Sequence, residues 1–304
     1  MSDKTNPAGG RVLRAEGLCK SYGKQQVLHD LNLTIEPGCV YGLIGRNGAG
    51  KTTLLSILTG QNTMDSGKVT YGGEPVWENP KVLGDLCFAR ELNATAETAQ
   101  IRVKDYLRAG QLFCPHWDKD MADSLIKKFG IDPKKSIAKL SKGQMSMVTI
   151  TAAMASKAPI TILDEPAAGL DVIMREKFYR MLLEEYAATG RTFLVSTHII
   201  EEASGVFERV IVLDEGHIIA DRPTEELIDE FRYVSGEKTA LDAALSAHGV
   251  QPLQVQELGA HKMAAVRGDA ALFEALAADP ALTVAGMNLQ NVFVALCGHG
   301  DEEG

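Results

Sequence analysis

The stretch Gly45-Arg46-Asn47-Gly48-Ala49-Gly50-Lys51-Thr52-Thr53 decides the fold. It fits the template Gly, four residues, Gly-Lys-Ser/Thr. Val40-Tyr41-Gly42-Leu43-Ile44 before it reads as a short buried strand, and Leu54-Leu55-Ser56-Ile57-Leu58 after it as a helix. A glycine-rich turn lets backbone N–H groups approach an anion, because no Cβ stands in the way. The helix that follows aims the positive end of its dipole at the same point. Lys51 is then placed to reach β- and γ-phosphates, and Thr52 to offer its hydroxyl to Mg²⁺. The expected fold is an α/β P-loop core.

The chain has 304 residues and a net charge of -9. That length suits two domains, and that charge argues against a general affinity for nucleic acid. The five cysteines (Cys19, Cys39, Cys87, Cys114, Cys297) are odd in number, widely spaced and free of Cys-x-x-Cys pairs. Neither a zinc site nor a disulfide framework is expected, and a reducing cytosol fits. Residues 1–10 are polar, lack the apolar centre of a signal peptide and read as a disordered arm. No apolar run approaches membrane-spanning length. Any work at a membrane then passes through a partner.

Upstream of the loop, Val12 to Leu18 and Gln26 to Ile35 read as strands joined by a turn at Tyr22-Gly23-Lys24. Tyr22 is either an adenine-stacking ring or an ordinary turn tyrosine. Downstream, Lys68 to Tyr71 reads as a strand and Val82 to Phe88 as another. Ile101 to Phe113 and Asp118 to Phe129 carry apolar residues at helical spacing, with Asp118 as a candidate N-cap. Leu140-Ser141-Lys142-Gly143-Gln144 opens a helix that runs to about Ser156.

Pro159 to Leu163 reads as a buried strand ending in Asp164-Glu165-Pro166. Two carboxylates at a strand's C-terminal end, in a chain that already has a phosphate loop, form a site signature, since parallel α/β sheets bind ligands at that edge. Asp164 can hold Mg²⁺, and Glu165 can orient or deprotonate an attacking water. After a helix over Val172 to Tyr186, the strand Arg191 to Val195 ends in Ser196-Thr197-His198. That places His198 as a γ-phosphate sensor. Val210 to Asp214 and His217 to Asp221 form a hairpin around Glu215-Gly216.

The character changes near Pro223. Thr224 to Phe231 reads as a charged helix. Beyond it come strands at Leu253 to Leu258, Met263 to Arg267 and Leu282 to Gly286, and helices at Ala270 to Ala278 and Leu289 to Cys297. This is a small α+β appendage with a polar end from Gly298, expected to be mobile.

Together these residues resemble the ATP-binding subunit of ABC transporters, over roughly residues 11–223. Gly45 to Thr52 is similar to Walker A. Leu140 to Gln144 is similar to the family signature, usually Leu-Ser-Gly-Gly-Gln. Ile160 to Asp164 with Glu165 is similar to Walker B and its catalytic glutamate, Ala167 to Asp171 to the D-loop, and His198 to the switch histidine. Tyr22 then becomes the adenine-stacking aromatic. The chain departs from the pattern at Glu91, aligned where the family usually has a metal-contacting glutamine, and at Ala167 and Ala168.

The resemblance implies ATP and Mg²⁺ as cofactors. It implies a core over residues 11–223 with a helical subdomain at about 92–157, and an accessory domain over 224–304. It implies Glu165, His198 and Lys51 as catalytic residues. ATP is expected on Tyr22, residues 45–53, Ser141, Gly143 and Gln144, and the metal on Thr52, Asp164 and Glu91. Ser141 and Gly143 would close over the γ-phosphate held by a second subunit, in a homodimer or heterodimer. A separate membrane permease would place the chain at the cytoplasmic face of the membrane. Phe113-Cys114-Pro115-His116-Trp117-Asp118 and the segment from Asn288 to Leu296 resemble bacterial exporters of drugs, antibiotics or peptides. A soluble ATPase of the same type, acting on ribosomes, is the alternative.

Overall fold

The computed structural model describes residues 10–92, 95 and 98–298. The expected arm and polar tail lie, but for Gly10 and Gly298, outside them. The elements in chain order are β1 (Leu13–Tyr22), β2 (Gln25–Ile35), β3 (Val40–Ile44), α1 (Lys51–Leu58), β4 (Ser66–Tyr71), β5 (Glu74–Pro75), α2 (Pro80–Leu83), β6 (Leu86–Ala89), α3 (Val103–Phe113), α4 (Lys119–Lys128) and α5 (Lys142–Ala155). They continue with β7 (Ile160–Asp164), α6 (Val172–Thr189), β8 (Thr192–Thr197), α7 (Ile200–Ala203), β9 (Arg209–Asp214), β10 (His217–Pro223), α8 (Thr224–Asp229), β11 (Phe231–Glu237), α9 (Lys238–Ala247), β12 (Gln254–Leu258), β13 (His261–Arg267), α10 (Ala270–Ala277), β14 (Leu282–Gly286) and α11 (Leu289–Cys297).

The chain divides into two compact units, one running to Ile199 and taking in Ile211–Ala220, the other made of Ile200–Val210 and the chain from Asp221 onward. In the first, an antiparallel sheet has the order β2-β1-β4-β5, and a six-stranded sheet has the order β10-β9-β3-β8-β7-β6. The centre of the second sheet is parallel: β3 pairs with β8, β8 with β7, and β7 with β6. Every residue of β3, β7 and β8 is buried, which is why these strands read as unbroken apolar runs rather than alternating ones.

Register is what builds the site. Ile44 pairs with Thr197, and Asp164 with Ser196. The chain therefore leaves β3, β8 and β7 at one sheet edge, and the residues that follow each strand meet there. α1 packs its apolar side under that edge, with Leu54, Leu55, Ile57 and Leu58 buried in a cluster shared with Leu43, Ile162 and Leu194. α4 starts at Asp118, whose side chain accepts from the Met121 N–H, as its N-cap role requires.

Two expectations are corrected. Val82 to Phe88 is not one strand. Pro80 occupies the first turn of α2, where its fixed φ favours a helix and its missing N–H costs nothing. The strand begins only at Leu86. Likewise the helix from Thr224 ends at Asp229, and Phe231 opens β11. Apolar side chains there, such as Phe231 and Val234, are buried by partner strands that charge patterning along the chain does not reveal.

The second unit carries β11-α9-β12-β13-α10-β14. Its sheet has the order β12-β13-β11-β14, with β13 antiparallel to both β11 and β12. That is a split β-α-β arrangement of the ferredoxin-like kind. Val234, Leu241, Leu245, Ala264, Val266, Phe273, Leu276 and Leu282 form its core.

Candidate active site

The loop between β3 and α1 is shaped by its glycines. Gly50 has φ 103° and Gly48 φ 85°, a region that disfavours residues with a Cβ. A Cβ on Gly45 would lie 2.3 Å from the Leu213 carbonyl oxygen. The loop thus runs against β9, and the Ala49 carbonyl accepts from the Gly216 N–H at 3.1 Å. Arg46, Asn47 and Gly48 are exposed, whereas Gly45, Ala49 and Gly50 are buried.

Lys51 folds back inside its own loop. Nζ donates to the carbonyls of Gly45 (2.7 Å) and Arg46 (3.2 Å), and the Glu165 carboxylate lies 3.9 Å away. Burial pushes this ammonium below the usual lysine range, while Glu165 and Asp164 pull it back up. A buried cation with carbonyl oxygens around it is poised for a stronger anionic partner. Thr53 follows in the first turn of α1.

Thr52 Oγ1 donates to Asp164 Oδ2 at 2.7 Å. The other carboxylate oxygen of Asp164 accepts from Ser196 Oγ at 2.5 Å. The same serine oxygen accepts from the Glu165 N–H at 2.9 Å. Glu165 has φ 49°, so the chain turns sharply as it leaves β7, at a conformational cost the site imposes. Glu165 Oε2 lies 2.7 Å from His198 Nδ1 and accepts from the His198 N–H. The edge therefore gathers Lys51, Thr52, Asp164, Glu165 and His198. Ser196 is the residue that sequence reading gave no role. A polar residue ending a buried strand beside an acidic pair was the available signal.

The donor set at Thr52 and Asp164 consists of oxygens, which suits a hard cation such as Mg²⁺. Among the described residues no group of three or more His, Cys, Asp or Glu side chains could hold a metal ion by itself. A cation here would therefore draw its remaining ligands from phosphate and water. Glu91 lines the same pocket as Thr52 and Asp164, and its carboxylate faces Lys142 Nζ at 3.0 Å.

Ser141 caps α5 in a reciprocal capping box: its hydroxyl accepts from the Gln144 N–H, and the Gln144 side chain accepts from the Ser141 N–H, both at 3.2 Å. Gly143 lies against the next loop, where a Cβ would approach the Gly169 carbonyl oxygen at 3.1 Å. Ser141, Gly143 and Gln144 line a second pocket with Gly169, Leu170 and Asp171, and no residue of the phosphate loop joins them there. Tyr22 lies half-exposed at the end of β1, held by Asn62, whose Nδ2 donates to the tyrosine oxygen at 2.6 Å.

Residues 28–168 match the ABC transporter family. The chain is 28% identical to the ABC transporter ATP-binding protein YtrB of Bacillus subtilis, over 72% of this chain and 75% of that one. It is 29% identical to the aliphatic sulfonates import ATP-binding protein SsuB of Rhodopseudomonas palustris, over 72% and 76%. It is also 29% identical to the Nod factor export ATP-binding protein I of Rhizobium sp., over 70% and 71%. The crystal structure of a nucleotide-free ATP-binding cassette from an ABC transporter superposes with a TM-score of 0.61 at 25% identity, covering 71% of this chain and 93% of the other. Fold and site together define a P-loop ATPase. The chain carries the ABC transporter domain over residues 28–168, and the relatives it matches over 71% to 76% of their own length are named as transport ATP-binding proteins.

Proposed function

We propose that the chain powers an exporter, working as one of a pair of ATP-binding subunits against a separate membrane permease, at the cytoplasmic face of the membrane. The observation that carries this reading is the meeting of Lys51, Thr52, Asp164, Glu165 and His198 at one sheet edge. Among the described residues no helix is long and apolar enough to cross a membrane. Export rather than import is favoured by the stretches Phe113 to Asp118 and Asn288 to Leu296. Residues 11–223 serve as the ATP-binding domain, with the helical subdomain at about 92–157, and 224–304 as an accessory domain.

In this reading residues 45–53 cradle the triphosphate with their N–H groups, and Lys51 exchanges its loop carbonyls for β- and γ-phosphate oxygens. Tyr22 stacks on the adenine. Thr52 and Asp164 hold Mg²⁺, which supplies charge neutralisation on the phosphates when bound. Glu165 orients the attacking water and takes its proton, and His198, in contact with Glu165, faces the γ-phosphate. Glu91 shares the pocket of Thr52 and Asp164 and would join the metal only by giving up its contact with Lys142.

Ser141, Gly143 and Gln144 line a pocket that no residue of their own chain's phosphate loop joins. They act on the nucleotide of the opposing subunit, so ATP joins the two subunits and hydrolysis parts them. The test is co-expression with the candidate permease in inside-out vesicles. ATP-dependent accumulation of substrate inside the vesicles supports export. Loss of substrate from preloaded vesicles indicates import, and recovery on ribosomes with no membrane protein overturns the transporter reading.

A further inference from the structure

Tyr22 is braced in a way its proposed role does not by itself require. Asn62 Nδ2 donates to its hydroxyl at 2.6 Å. Asn62 is not on the same strand. It sits just past the C-terminal end of α1, where its own N–H and that of Gln61 both return to the Ser56 carbonyl, at 3.2 and 2.8 Å. The turn holding Asn62 is tied to β1 a second time. Asp65 Oδ2 accepts from the Ser21 N–H at 2.6 Å, and the Asp65 N–H donates to the Cys19 carbonyl at 2.9 Å. Lys20, paired with Asp65 at 3.5 Å, places its ammonium 5.4 Å from the Tyr22 ring centroid. The ring of a residue that is 51% exposed is thus fixed at its hydroxyl tip and approached by a cation.

An exposed tyrosine ring on a turn samples several rotamers, and stacking a base on it costs the entropy of choosing one. A hydrogen bond at the hydroxyl removes part of that cost before the ligand arrives. The helix α1 begins at Lys51 and is about 12 Å long at 1.5 Å per residue, and Asn62 follows in the turn after its end at Leu58. One rigid element therefore carries the phosphate-binding lysine at its first residue and the tyrosine brace just past its last.

We propose that Asn62 is a positioning residue for the nucleotide base: by holding the Tyr22 hydroxyl it fixes the ring at a set distance from the phosphate loop. This rests on the reading of Tyr22 as the adenine-stacking residue. The brace acts on ligands that carry a base and leaves those without one untouched.

The experiment compares equilibrium binding of ADP and of inorganic tripolyphosphate, the second having no base, to the full chain. Asn62→Ala and Tyr22→Phe each weaken ADP binding about 3- to 10-fold, the range expected when one side chain must be ordered on binding. The double variant is no weaker than either single one, because both remove the same contact. Tyr22→Ala weakens ADP more than Tyr22→Phe does, and tripolyphosphate affinity stays within twofold throughout. If Tyr22→Ala weakens ADP while Asn62→Ala and Tyr22→Phe do not, the brace is overturned and the stacking reading stands. If Tyr22→Ala leaves ADP affinity unchanged, the stacking reading itself fails, and the inference with it. If Asn62→Ala weakens both ligands equally, Asn62 supports α1 as a whole and the proposal is wrong.

Discussion

Lys142 Nζ lies 3.0 Å from Glu91 Oε1, which joins the stretch similar to the family signature to the position where the family usually has a glutamine. The lysine stem also lies over Gly169, where an added Cβ would come within 2.7 Å of Lys142 Cγ. One side chain therefore touches the loop after β6 and the loop after β7 while opening α5. Both charged groups are exposed, so the pair contributes no more than about 1 kcal/mol.

Glu91→Gln tests what the carboxylate does. With Glu91 committed to Lys142, the variant is expected to keep its Mg²⁺ half-saturation for ATP hydrolysis within twofold and to melt within about 4 °C of the parent. A larger change in Mg²⁺ requirement would assign Glu91 to the metal.

Glu165→Gln removes the base but keeps the shape. ATPase turnover is expected to fall about 10²- to 10⁴-fold, while nucleotide affinity in the unturned-over complex changes little. Turnover at the parental rate would refute the assignment of Glu165.

Ser141→Arg puts a bulky cation at the N-cap of α5, in a pocket that no residue of the chain's own phosphate loop lines. Steady-state turnover is expected to stop, with nucleotide affinity of the isolated monomer unchanged. Equal loss of affinity in the monomer would contradict a site shared between subunits.

Ser196→Ala leaves the Glu165 N–H and one oxygen of Asp164 without their partner. A buried group so abandoned costs about 1 to 3 kcal/mol. The variant should melt lower and turn over more slowly. A variant that melts and turns over as the parent does would show that Ser196 does not order the acidic pair.

Cys87 supplies a pH test. Burial, ahead of any neighbour, pushes its thiol up to about 11. In the unfolded chain the thiol ionises first, near its ordinary value of about 8.5. As pH rises from about 9 to 11 the unfolded chain sheds a proton that the folded one keeps, so stability falls across that window. Cys87→Ala is expected to lose less over the same window, measured as the urea midpoint against pH. Parallel curves for the two proteins would show that the thiol is not held protonated.

Much of the molecule was legible from local chemistry. The phosphate loop announced itself by glycines at positions that need them and by Lys51-Thr52. Asp118 and the segment at Ser141 marked helix starts, because capping is settled within a single turn. The buried strands β3, β7 and β8 showed as short apolar runs. Local reading missed the short helix that Pro80 opens over Val82 and Leu83, and it failed at Phe231, where a neighbour distant in sequence, Arg267 in β13, decided the outcome.

The sequence by itself determined the chemical parts: an anion-binding loop, an acidic pair, a histidine and a capped helix, each specified by residues within one turn or strand of one another. Only the tertiary structure decided which parts meet. Thr52 reaches Asp164 across 112 positions, Ser196 bridges to Asp164 across 32, and Tyr22 is held by Asn62 across 40. Such contacts depend on strand order and register, which arise from the packing of whole faces and leave no periodic mark on any single segment.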